Sequence, residues 1–439
     1  MKSLYVFLIL ALAALLLSGC GQESLVPPAQ VDLLPETAEV LGPEAGDEVD
    51  LEEVPKRDLG LIWSETYDDV FTTSLSRDGS VIVASGNLGP RWNSRIGFNV
   101  YDREGNLLWQ YRFRDRGYRG VWTQVLGQGR YVAAASYYYD SSGHVHLFDE
   151  SGTRLWSVPV EGPVTVVMPP EGDYLAIIDH VASALMVYDT AGNRLVRTEV
   201  GEDAQMDIVI GGQLILLKDH RQVALLTPQG MRIWSYPLEG TIKRNIALSH
   251  SGDLVAVATG DADSVLYVFD RSGELLWKYV LFPSGTNELA FSADDRYLAV
   301  YNVGRRGGIY VFDVESGELL WRRFFRTPSG HVSDIRDVVF FLAEEDYLLL
   351  VDHVDIFEVD GEPVEEHRLL AFDEAGRPLW WTPLGVNVEV DLSRDATTCV
   401  VSTSPAVDGA GRLACELKVF DLAEVLRGTL TPGPGSIER

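Results

Sequence analysis

Three Asp-His pairs recur in the sequence, and their side chains are the ones best suited to metal or proton chemistry. Each pair follows a short apolar run, and the pairs are Asp179-His180, Asp219-His220 and Asp352-His353. Carboxylate and imidazole groups together can bind a divalent cation, and an imidazole can move a proton near neutral pH. The alternative is a repeated structural role, in which each Asp caps a turn and each His is half-exposed.

A second group of residues is suited to binding a protein rather than to catalysis. Arginine and aromatic side chains on exposed loops are the usual anchors of protein interfaces. The candidate interface consists of Trp92, Arg112, Arg114, Arg116, Tyr118, Arg119 and Tyr138. An insertion at residues 354–367 is a further candidate surface. The alternative is a solvated loop whose arginines pair with acidic neighbours.

Two cysteines near the C-terminus are candidates for a disulfide. Cys399 and Cys415 are equally far from Val407, which lies in the turn between two predicted strands. Antiparallel pairing about that turn would place the two cysteines opposite each other, so we predict a disulfide in an oxidising compartment. Two buried thiols are the alternative.

The first residues have the features of an export signal. Lys2 precedes an apolar run at residues 4–17, which is shorter than a membrane span. The run ends in Leu17-Ser18-Gly19-Cys20, which resembles the lipobox of bacterial lipoproteins. This resemblance implies that Cys20 carries a lipid and that the chain lies on the outer face of the plasma membrane or on the outer membrane. A multiply acylated cysteine holds a soluble domain firmly at a bilayer.

Composition divides the chain into four parts. Residues 21–55 are rich in Pro, Glu and Asp and contain no aromatic residue. Such a segment cannot bury enough apolar surface to offset its ordering entropy. We predict a signal peptide at residues 1–20, an acidic disordered tether at 21–57, a folded domain at 58–428 and a flexible tail at 429–439.

Charge excludes several classes of partner. The chain has 65 acidic and 36 basic residues, for a formal net charge of -29. No broad basic surface can outweigh this charge, so we expect no binding to nucleic acid. The same charge disfavours direct contact with anionic lipid, so we expect the lipid on Cys20 to provide the membrane attachment.

One sequence motif, here called the phrase, recurs along the folded part. It predicts the strands and turns that position the candidate functional side chains. It consists of an apolar or aromatic residue, Asp, two residues, Gly, a few residues and Trp, as in Phe269-Asp270, Gly273 and Trp277. Asp can cap a hairpin turn, and Gly accepts the left-handed conformation that the turn requires. The Trp position is occupied in six copies, and Val196 replaces Trp in a seventh. An equivalent Trp lies on an unpaired strand before the first copy. In chain order these tryptophans are Trp63, Trp109, Trp156, Trp234, Trp277, Trp321 and Trp380.

A second hairpin precedes each copy of the phrase. Leu75-Ser76-Arg77-Asp78-Gly79 is one example, followed by an apolar strand. Two hairpins make four strands in about 40 to 50 residues, which is one propeller blade. We therefore predict an all-β, eight-bladed propeller of four-stranded antiparallel blades, with seven blades as the alternative. The orphan strands at residues 61–63 and 419–421 would complete one blade from both chain ends and close the ring.

The phrase Asp-x-x-Gly-x-x-x-Trp resembles the tryptophan-docking repeat of pyrroloquinoline-quinone (PQQ) dehydrogenases and of their non-enzymatic relatives. The inner hairpins resemble those of WD40-like repeats. With the lipobox and the tether, the whole is similar to the propeller lipoproteins of the outer-membrane β-barrel assembly machinery, which are scaffolds. The resemblance implies that the repeat tryptophans lie between blades and are structural.

These features favour a binding or scaffold protein of the bacterial cell envelope with an unidentified protein partner. The alternatives are a PQQ-dependent dehydrogenase using calcium and a propeller that binds a small ligand. The chain lacks the adjacent cysteine pair that such dehydrogenases often have. Blades three and four adjoin but blade seven lies across the ring, so the three Asp-His pairs could hardly hold one metal ion. We therefore predict no catalytic residue, metal site or cofactor.

Overall fold

The computed structural model describes residues 47–67, 69–87, 96–114, 117–118, 120–138, 142–169, 171–201, 205–208, 215–219, 222–238, 246–259, 264–281, 286–303, 308–325, 331–343, 346–359, 361–403, 406–407 and 413–430. The signal peptide, Cys20 and most of the predicted tether lie outside these ranges. Within them the regular structure is mostly strand, and no helix is long and apolar enough to cross a membrane.

The described strands form eight sheets, and each sheet is one blade. Two strands, β1 (Glu48–Val49) and β2 (Gly60–Tyr67), precede the first complete blade. Blade one contains β3 (Asp69–Leu75), β4 (Val81–Asn87), β5 (Ile96–Asp102) and β6 (Leu107–Arg112). Blade two contains β7 (Gly120–Leu126), β8 (Tyr131–Tyr137), β9 (Gly143–Asp149) and β10 (Arg154–Val160). Blade three contains β11 (Val164–Val167), β12 (Tyr174–Asp179), β13 (Ala184–Asp189) and β14 (Arg194–Glu199). Blade four contains β15 (Gln205–Ile208), β16 (Ile215–Asp219), β17 (Gln222–Leu226) and β18 (Arg232–Pro237).

The remaining blades follow the same order. Blade five contains β19 (Ile246–Leu248), β20 (Leu254–Ala258), β21 (Val265–Asp270) and β22 (Leu275–Val280). Blade six contains β23 (Thr286–Phe291), β24 (Tyr297–Val303), β25 (Gly308–Asp313) and β26 (Leu319–Phe325). Blade seven contains β27 (Val332–Ala343), β28 (Asp346–Val359), β29 (Glu362–Phe372) and β30 (Pro378–Val386). Blade eight contains β31 (Val388–Leu392), β32 (Thr398–Thr403), the short β33 (Ala406–Val407) and β34 (Leu413–Asp421). The predicted all-β propeller of four-stranded antiparallel blades is confirmed.

Burial follows the position of a strand within its blade. Every residue of β12, a middle strand, is buried, whereas the outer strand β14 alternates between exposed and half-buried residues from Leu195 onward. Middle strands are covered on both faces by the neighbouring blades, so their sequences are continuous apolar runs. The outer strands contact solvent on one side, and their alternation reflects that difference.

Both chain ends complete blade eight. Strand β2 pairs with β34 in an antiparallel register that runs from Gly60↔Asp421 to Tyr67↔Cys415. Strand β31 contacts β3 of blade one on one side and β29 and β30 of blade seven on the other. The ring is therefore closed by the two orphan strands, as the sequence predicted, and blade eight gains its outermost strand from the N-terminal part.

The repeat tryptophans pack against glycines in the hairpins of the following blades. A Cβ placed on Gly105 would lie 2.7 Å from Trp63, and a Cβ on Gly376 would lie 2.5 Å from Trp321. Both glycines have positive φ, which other residues rarely adopt. The same contact is made by Trp109–Gly152, Trp156–Gly192, Trp234–Gly273 and Trp277–Gly317, and Val196 occupies the equivalent place against Gly230. These indoles lie between adjacent blades.

Trp380 of blade seven has a different partner. Strand β34 leads into helix α1 (Ala423–Leu430) instead of a glycine hairpin. Leu422 and Leu426 are fully buried against blades seven and eight. The indole N–H of Trp380 donates a hydrogen bond to Oγ1 of Thr429 at 3.1 Å, and its side chain is 1% exposed. This helix was not predicted from the sequence, and it extends the ordered domain just past the predicted end at residue 428.

Residues 47–57, here called the N-terminal strap, lie along the outer strands of blades six and seven. Strand β1 pairs in parallel with β26, and the carboxylate of Asp47 accepts a hydrogen bond from Nε of Arg322 at 2.7 Å. Farther along, Lys56 forms a parallel bridge with Trp381 on β30. The strap therefore crosses two blades before the chain enters β2 on the third.

The strap also contributes to the core. Val49 and Val54 are 3% and 9% exposed and belong to the cluster between blades six and seven. The folded domain consequently begins before the predicted boundary at residue 58, and residues 47–57 are not part of a disordered tether. The prediction of disorder rested on the low apolar content of the whole acidic segment. Burial of even a few side chains, such as these two valines, can nevertheless fix a short segment against an existing sheet.

Candidate functional site

The Asp-His pair of blade three has a structural role. Asp179 ends β12, and its carboxylate accepts hydrogen bonds from the backbone N–H groups of Glu161 at 2.7 Å and Ala182 at 3.0 Å. Nε2 of His180 lies 2.9 Å from Oγ1 of Thr165. These bonds close the turn after β12 and connect it to the inner strand, so Asp179 acts as a turn cap.

The pair in blade seven is buried and makes separate contacts. The carboxylate of Asp352 lies 3.2 Å from Nδ1 of His367, and Nε2 of His353 lies 2.8 Å from Oγ of Ser333. Burial raises the pKa of Asp352, whereas burial lowers the pKa of His353 to about 3. His353 is therefore a neutral core histidine at physiological pH.

The Asp-His pairs are not brought together. Asp179 lies on blade three and Asp352 on blade seven. His220 and the side chain of Asp219 lie outside the described residues. In the described part of the chain, no group of three His, Cys, Asp or Glu side chains is placed to hold a metal ion.

Part of the candidate interface forms an aromatic cluster on blade two. The ring of Tyr118 stacks on that of Tyr138 with centroids 4.5 Å apart, and its hydroxyl lies 3.2 Å from Nδ1 of His144. The buried ring of Phe113 packs edge-to-face with the ring of Tyr118, with centroids 5.2 Å apart. The cluster is half-buried, and the exposed Arg114 lies nearby in sequence.

Arg112 is not an exposed interface anchor. Its guanidinium donates hydrogen bonds to the carbonyl of Phe98 at 3.1 Å and to Oδ1 of Asn99 at 2.9 Å. Its partial burial lowers its pKa. Arg112 therefore ties β6 to β5 within blade one. The interface predictions for Trp92, Arg116 and Arg119 fall outside the described residues.

The predicted insertion at 354–367 is the projecting end of a long hairpin, here called the ribbon (Val354–Val359 and Glu362–His367). Strands β28 and β29 pair without a break to Val359↔Glu362. The inner neighbour β27 reaches only Ile356, and the outer neighbour β30 reaches only Glu366. The tip, from Phe357↔Val364 to Val359↔Glu362, therefore extends beyond both flanking strands.

Charged and aromatic side chains fix the root of the ribbon. His331 stacks on Phe357 with ring centroids 4.8 Å apart, and its Nδ1 lies 3.1 Å from the carboxylate of Asp355. The guanidinium of Arg368 lies 3.8 Å from Asp355 and 2.7 Å from Glu366. The insertion is visible in the sequence, but this network is not, because it depends on the register of β27, β28 and β29.

The prediction of a Cys399–Cys415 disulfide is wrong, because the register of the strands does not place the two cysteines opposite each other. Cys399 lies opposite Phe420 on β34, whereas Cys415 lies opposite Tyr67 on β2. Cys415 is five residues from Phe420, a separation of roughly 17 Å along the strand, which a disulfide cannot span. Both thiols are buried without a disulfide. The turn is not symmetric about Val407, which pairs with Leu413.

The closed ring and its docked tryptophans define a β-propeller built from PQQ-like repeats. A family model described as outer membrane protein assembly factor BamB matches residues 141–355. This chain is a PQQ-like propeller similar to BamB. A search of curated proteins by sequence found no match.

Solved structures share the architecture at low sequence identity. The C-terminal WD40 domain of Sif2 is 11% identical, with 87% of this chain and 99% of that chain covered and a TM-score of 0.56. Sqt1 from Chaetomium thermophilum, solved with the N-terminus of the ribosomal protein L10, is 14% identical, with 81% and 97% covered and a TM-score of 0.53. BamB from Moraxella catarrhalis is 14% identical, with 84% and 98% covered and a TM-score of 0.47. The likeness to Sif2 and Sqt1 shows the fold alone.

Proposed function

We propose that this chain is a lipid-anchored, non-enzymatic scaffold of the bacterial cell envelope that binds a protein partner through the ribbon of blade seven. The ribbon carries this proposal because it extends beyond both flanking strands of its own blade. A projecting two-stranded tip offers side chains from both faces and unpaired backbone groups on both edges.

The surface chemistry of the ribbon suits a protein partner. Val359 is 48% exposed, and Val386 on the neighbouring strand is 54% exposed. Glu358 and Glu362 flank Val359 at the tip, whereas Val386 lies opposite Glu366 at the root of the ribbon. Apolar groups at the centre of a contact with charged groups at its rim are typical of protein interfaces. We therefore expect the partner to present an apolar recess with basic residues around it.

The root network favours binding with little loss of flexibility. The stacking of His331 on Phe357 and the contacts of Asp355 hold the ribbon in one orientation before any partner arrives. A preordered surface loses less conformational entropy on association than a flexible loop does. The ribbon is thus suited to a persistent scaffold contact.

The similarity to BamB supports an envelope role. The matching family model is described as an outer membrane protein assembly factor, and we extend a role in protein assembly to this chain. The proposal includes attachment through a lipid on Cys20 and operation without PQQ, calcium or another cofactor. Cys20→Ala should move the protein from the membrane to the soluble fraction after cell lysis, and unchanged membrane retention would contradict the anchor.

Gentle extraction of the protein from its own membranes, followed by native mass spectrometry, tests the scaffold role. Wild-type protein should carry a second polypeptide in fixed ratio. A variant in which Asn-Gly replaces residues 357–364 joins Ile356 to Glu365 through a tight turn, and it should lose that polypeptide. Leu195→Ser is the control, because Leu195 is 48% exposed on the outer strand of blade three.

Three outcomes would contradict the proposal. Full retention of the second polypeptide by the shortened variant would exclude the ribbon as the contact. Loss of the polypeptide in Tyr138→Ala, with the shortened variant unaffected, would place the contact on the aromatic cluster of blade two. A quinone-sized adduct in place of a polypeptide would favour the dehydrogenase.

A further inference from the structure

A cavity of about 420 Å³ lies at the centre of the ring, lined by inner strands of blades one, two, three, seven and eight. Its wall includes the turns that lead from β3 to β4 and from β31 to β32. The ribbon joins β28 to β29 at the opposite ends of the blade strands. The cavity and the ribbon therefore belong to different faces of the propeller.

Asp391 on β31 supplies negative charge to this cavity. Its carboxylate accepts a hydrogen bond from the hydroxyl of Thr73 on β3. The other carboxylate of the lining, on Asp337, lies 3.4 Å from the guanidinium of Arg394. Among the described ion pairs none involves Asp391. A carboxylate held within the protein without forming an ion pair is an energetically costly arrangement that a bound cation would relieve.

Two further polar groups of the lining lack partners. Oγ1 of Thr123, a residue that is 1% exposed, and the buried Oε1 of Gln124 have no hydrogen-bond partner within the described part of the chain. Both oxygens can accept hydrogen bonds. Buried acceptors without donors are uncommon in folded proteins, and here they line the same cavity as Asp391.

The rest of the lining is partly apolar. Trp122, Met168 and Leu392 contribute side chains to the cavity wall. A cavity of this size accommodates a small molecule or one long side chain. The wall therefore combines surfaces for methylene groups with acceptors for a donor-rich, positively charged end.

We propose that this central cavity binds an aliphatic primary ammonium group, with Asp391 as its counter-charge. An ammonium carries three donors and no acceptor, which suits a cavity whose polar lining offers acceptors. The same chemistry is presented by a free amine and by a lysine side chain of a protein. This inference does not depend on the ribbon.

The titration of Asp391 gives the binding a characteristic pH dependence. Burial raises the pKa of Asp391 to about 7, with Thr73 lowering it and the carboxylates of Glu389 and Asp337 raising it further. Arg394 is the cation that faces it. Because the ammonium pairs with the ionised carboxylate, affinity should fall about tenfold between pH 8 and pH 6.

Calorimetric titration with n-butylammonium, the analogue of a lysine side chain, tests the proposal, with 1-butanol as the neutral probe. Butylammonium should bind saturably at pH 8, and butanol should not. Asp391→Asn should weaken the ammonium at least tenfold and abolish the pH dependence. Glu150→Gln removes one exposed carboxylate from a hairpin of blade two and should leave the affinity unchanged. A thermal melt of each variant verifies its folding.

A Gly-Ser peptide with one internal lysine distinguishes the two sources of the ammonium. Binding at least as tight as that of butylammonium would assign the cavity to a lysine of a protein. Binding of butylammonium without binding of the peptide would assign it to a free amine. No saturable binding of either probe, or equal affinity in wild type and Asp391→Asn, would overturn the proposal.

Discussion

Two kinds of junction connect neighbouring blades, and they differ in what receives the tryptophan. Between blades six and seven, Trp321 lies on Gly376, as in the other repeat junctions. Between blades seven and eight, Trp380 is covered by α1 and donates to Thr429. The tryptophan at a junction therefore requires a surface that fits closely against its indole, and this surface does not have to contain a glycine. The glycine hairpin supplies that surface within the repeat, and a short amphipathic helix supplies it where the repeat ends.

Removal of Trp380 should have the largest effect on stability. Trp380 is 1% exposed, whereas the repeat tryptophan Trp234 is only half-buried. Trp380→Ala should cost about 3–5 kcal/mol of unfolding free energy, because it leaves a large cavity beneath α1. Trp234→Ala should cost less. Urea denaturation followed by circular dichroism measures both, and an equal or smaller loss in Trp380→Ala would refute the difference between the junctions.

A glycine at a repeat junction should be the next most sensitive position. Gly376 has a φ of 68°, and an added Cβ would lie 2.5 Å from Trp321. Gly376→Ala should destabilise the protein by about 2–3 kcal/mol through backbone strain and steric overlap. Gly361 has a φ of 84° with open space around it, so Gly361→Ala isolates the backbone contribution of about 1 kcal/mol.

A double-mutant cycle separates the steric part of that effect. In a Trp321→Ala background the indole no longer opposes a Cβ at position 376. Gly376→Ala should then cost about 1 kcal/mol, the same as Gly361→Ala. An unchanged cost in the absence of the indole would mean that the glycine is needed only for its backbone conformation.

The repeat junctions could be predicted from sequence because their determinants are local. Asp, Gly and Trp occur within one hairpin, and their spacing repeats from blade to blade. The strap and α1 could not be predicted in this way. Val49 pairs opposite Phe325, and Trp380 meets Thr429, so each contact joins segments that are distant in sequence and carry no shared motif.

The candidate functional residues were also hard to predict from sequence, because their contacts depend on the register of strands that pair over a distance. The insertion in blade seven was visible as extra length, but the contact of His331 with Asp355 appears only when β28 is in register with β27. The cysteine pairing failed for the same reason, since the chain between β32 and β34 does not turn symmetrically about Val407. Asp391 was one of 65 acidic residues, and nothing in its sequence neighbourhood distinguished it.

The strap should contribute a smaller, local stabilisation to the junction between blades six and seven. Val49→Ala together with Val54→Ala removes apolar contacts worth about 1–3 kcal/mol in total. The strap should detach without unfolding the ring, so amide exchange should accelerate at Trp381, whose N–H donates to the carbonyl of Pro55 at 3.0 Å. Leu61→Ala, at a residue 54% exposed, is the control. Protection of the Trp381 amide at the wild-type level would show that the two valines do not hold the strap.

His353 should make the junction between blades six and seven sensitive to acid. Of the substitutions considered, its replacement should have the smallest effect on the free energy of unfolding at neutral pH. Its ring packs on Phe325 of blade six with centroids 4.2 Å apart, and burial lowers its pKa to about 3 from an ordinary value of 6.5. The neighbouring charges of Arg368 and His367 act in the same direction. A histidine with a lowered pKa contributes its full stability above pH 6.5 and loses it as the pH falls towards 3.

The acid sensitivity of this junction can be measured by replacing the imidazole with a ring that does not titrate. His353→Phe keeps an aromatic contact with Phe325 but loses the hydrogen bond to Ser333, so it should be about 1 kcal/mol less stable at pH 8. Between pH 6 and pH 4 the wild-type unfolding free energy should fall more steeply than that of the variant, by up to about 1.4 kcal/mol per pH unit. His146, whose pKa burial also lowers to about 3, titrates in both proteins and cancels in the comparison. Parallel pH profiles would mean that His353 accepts a proton without disturbing the contact between blades six and seven.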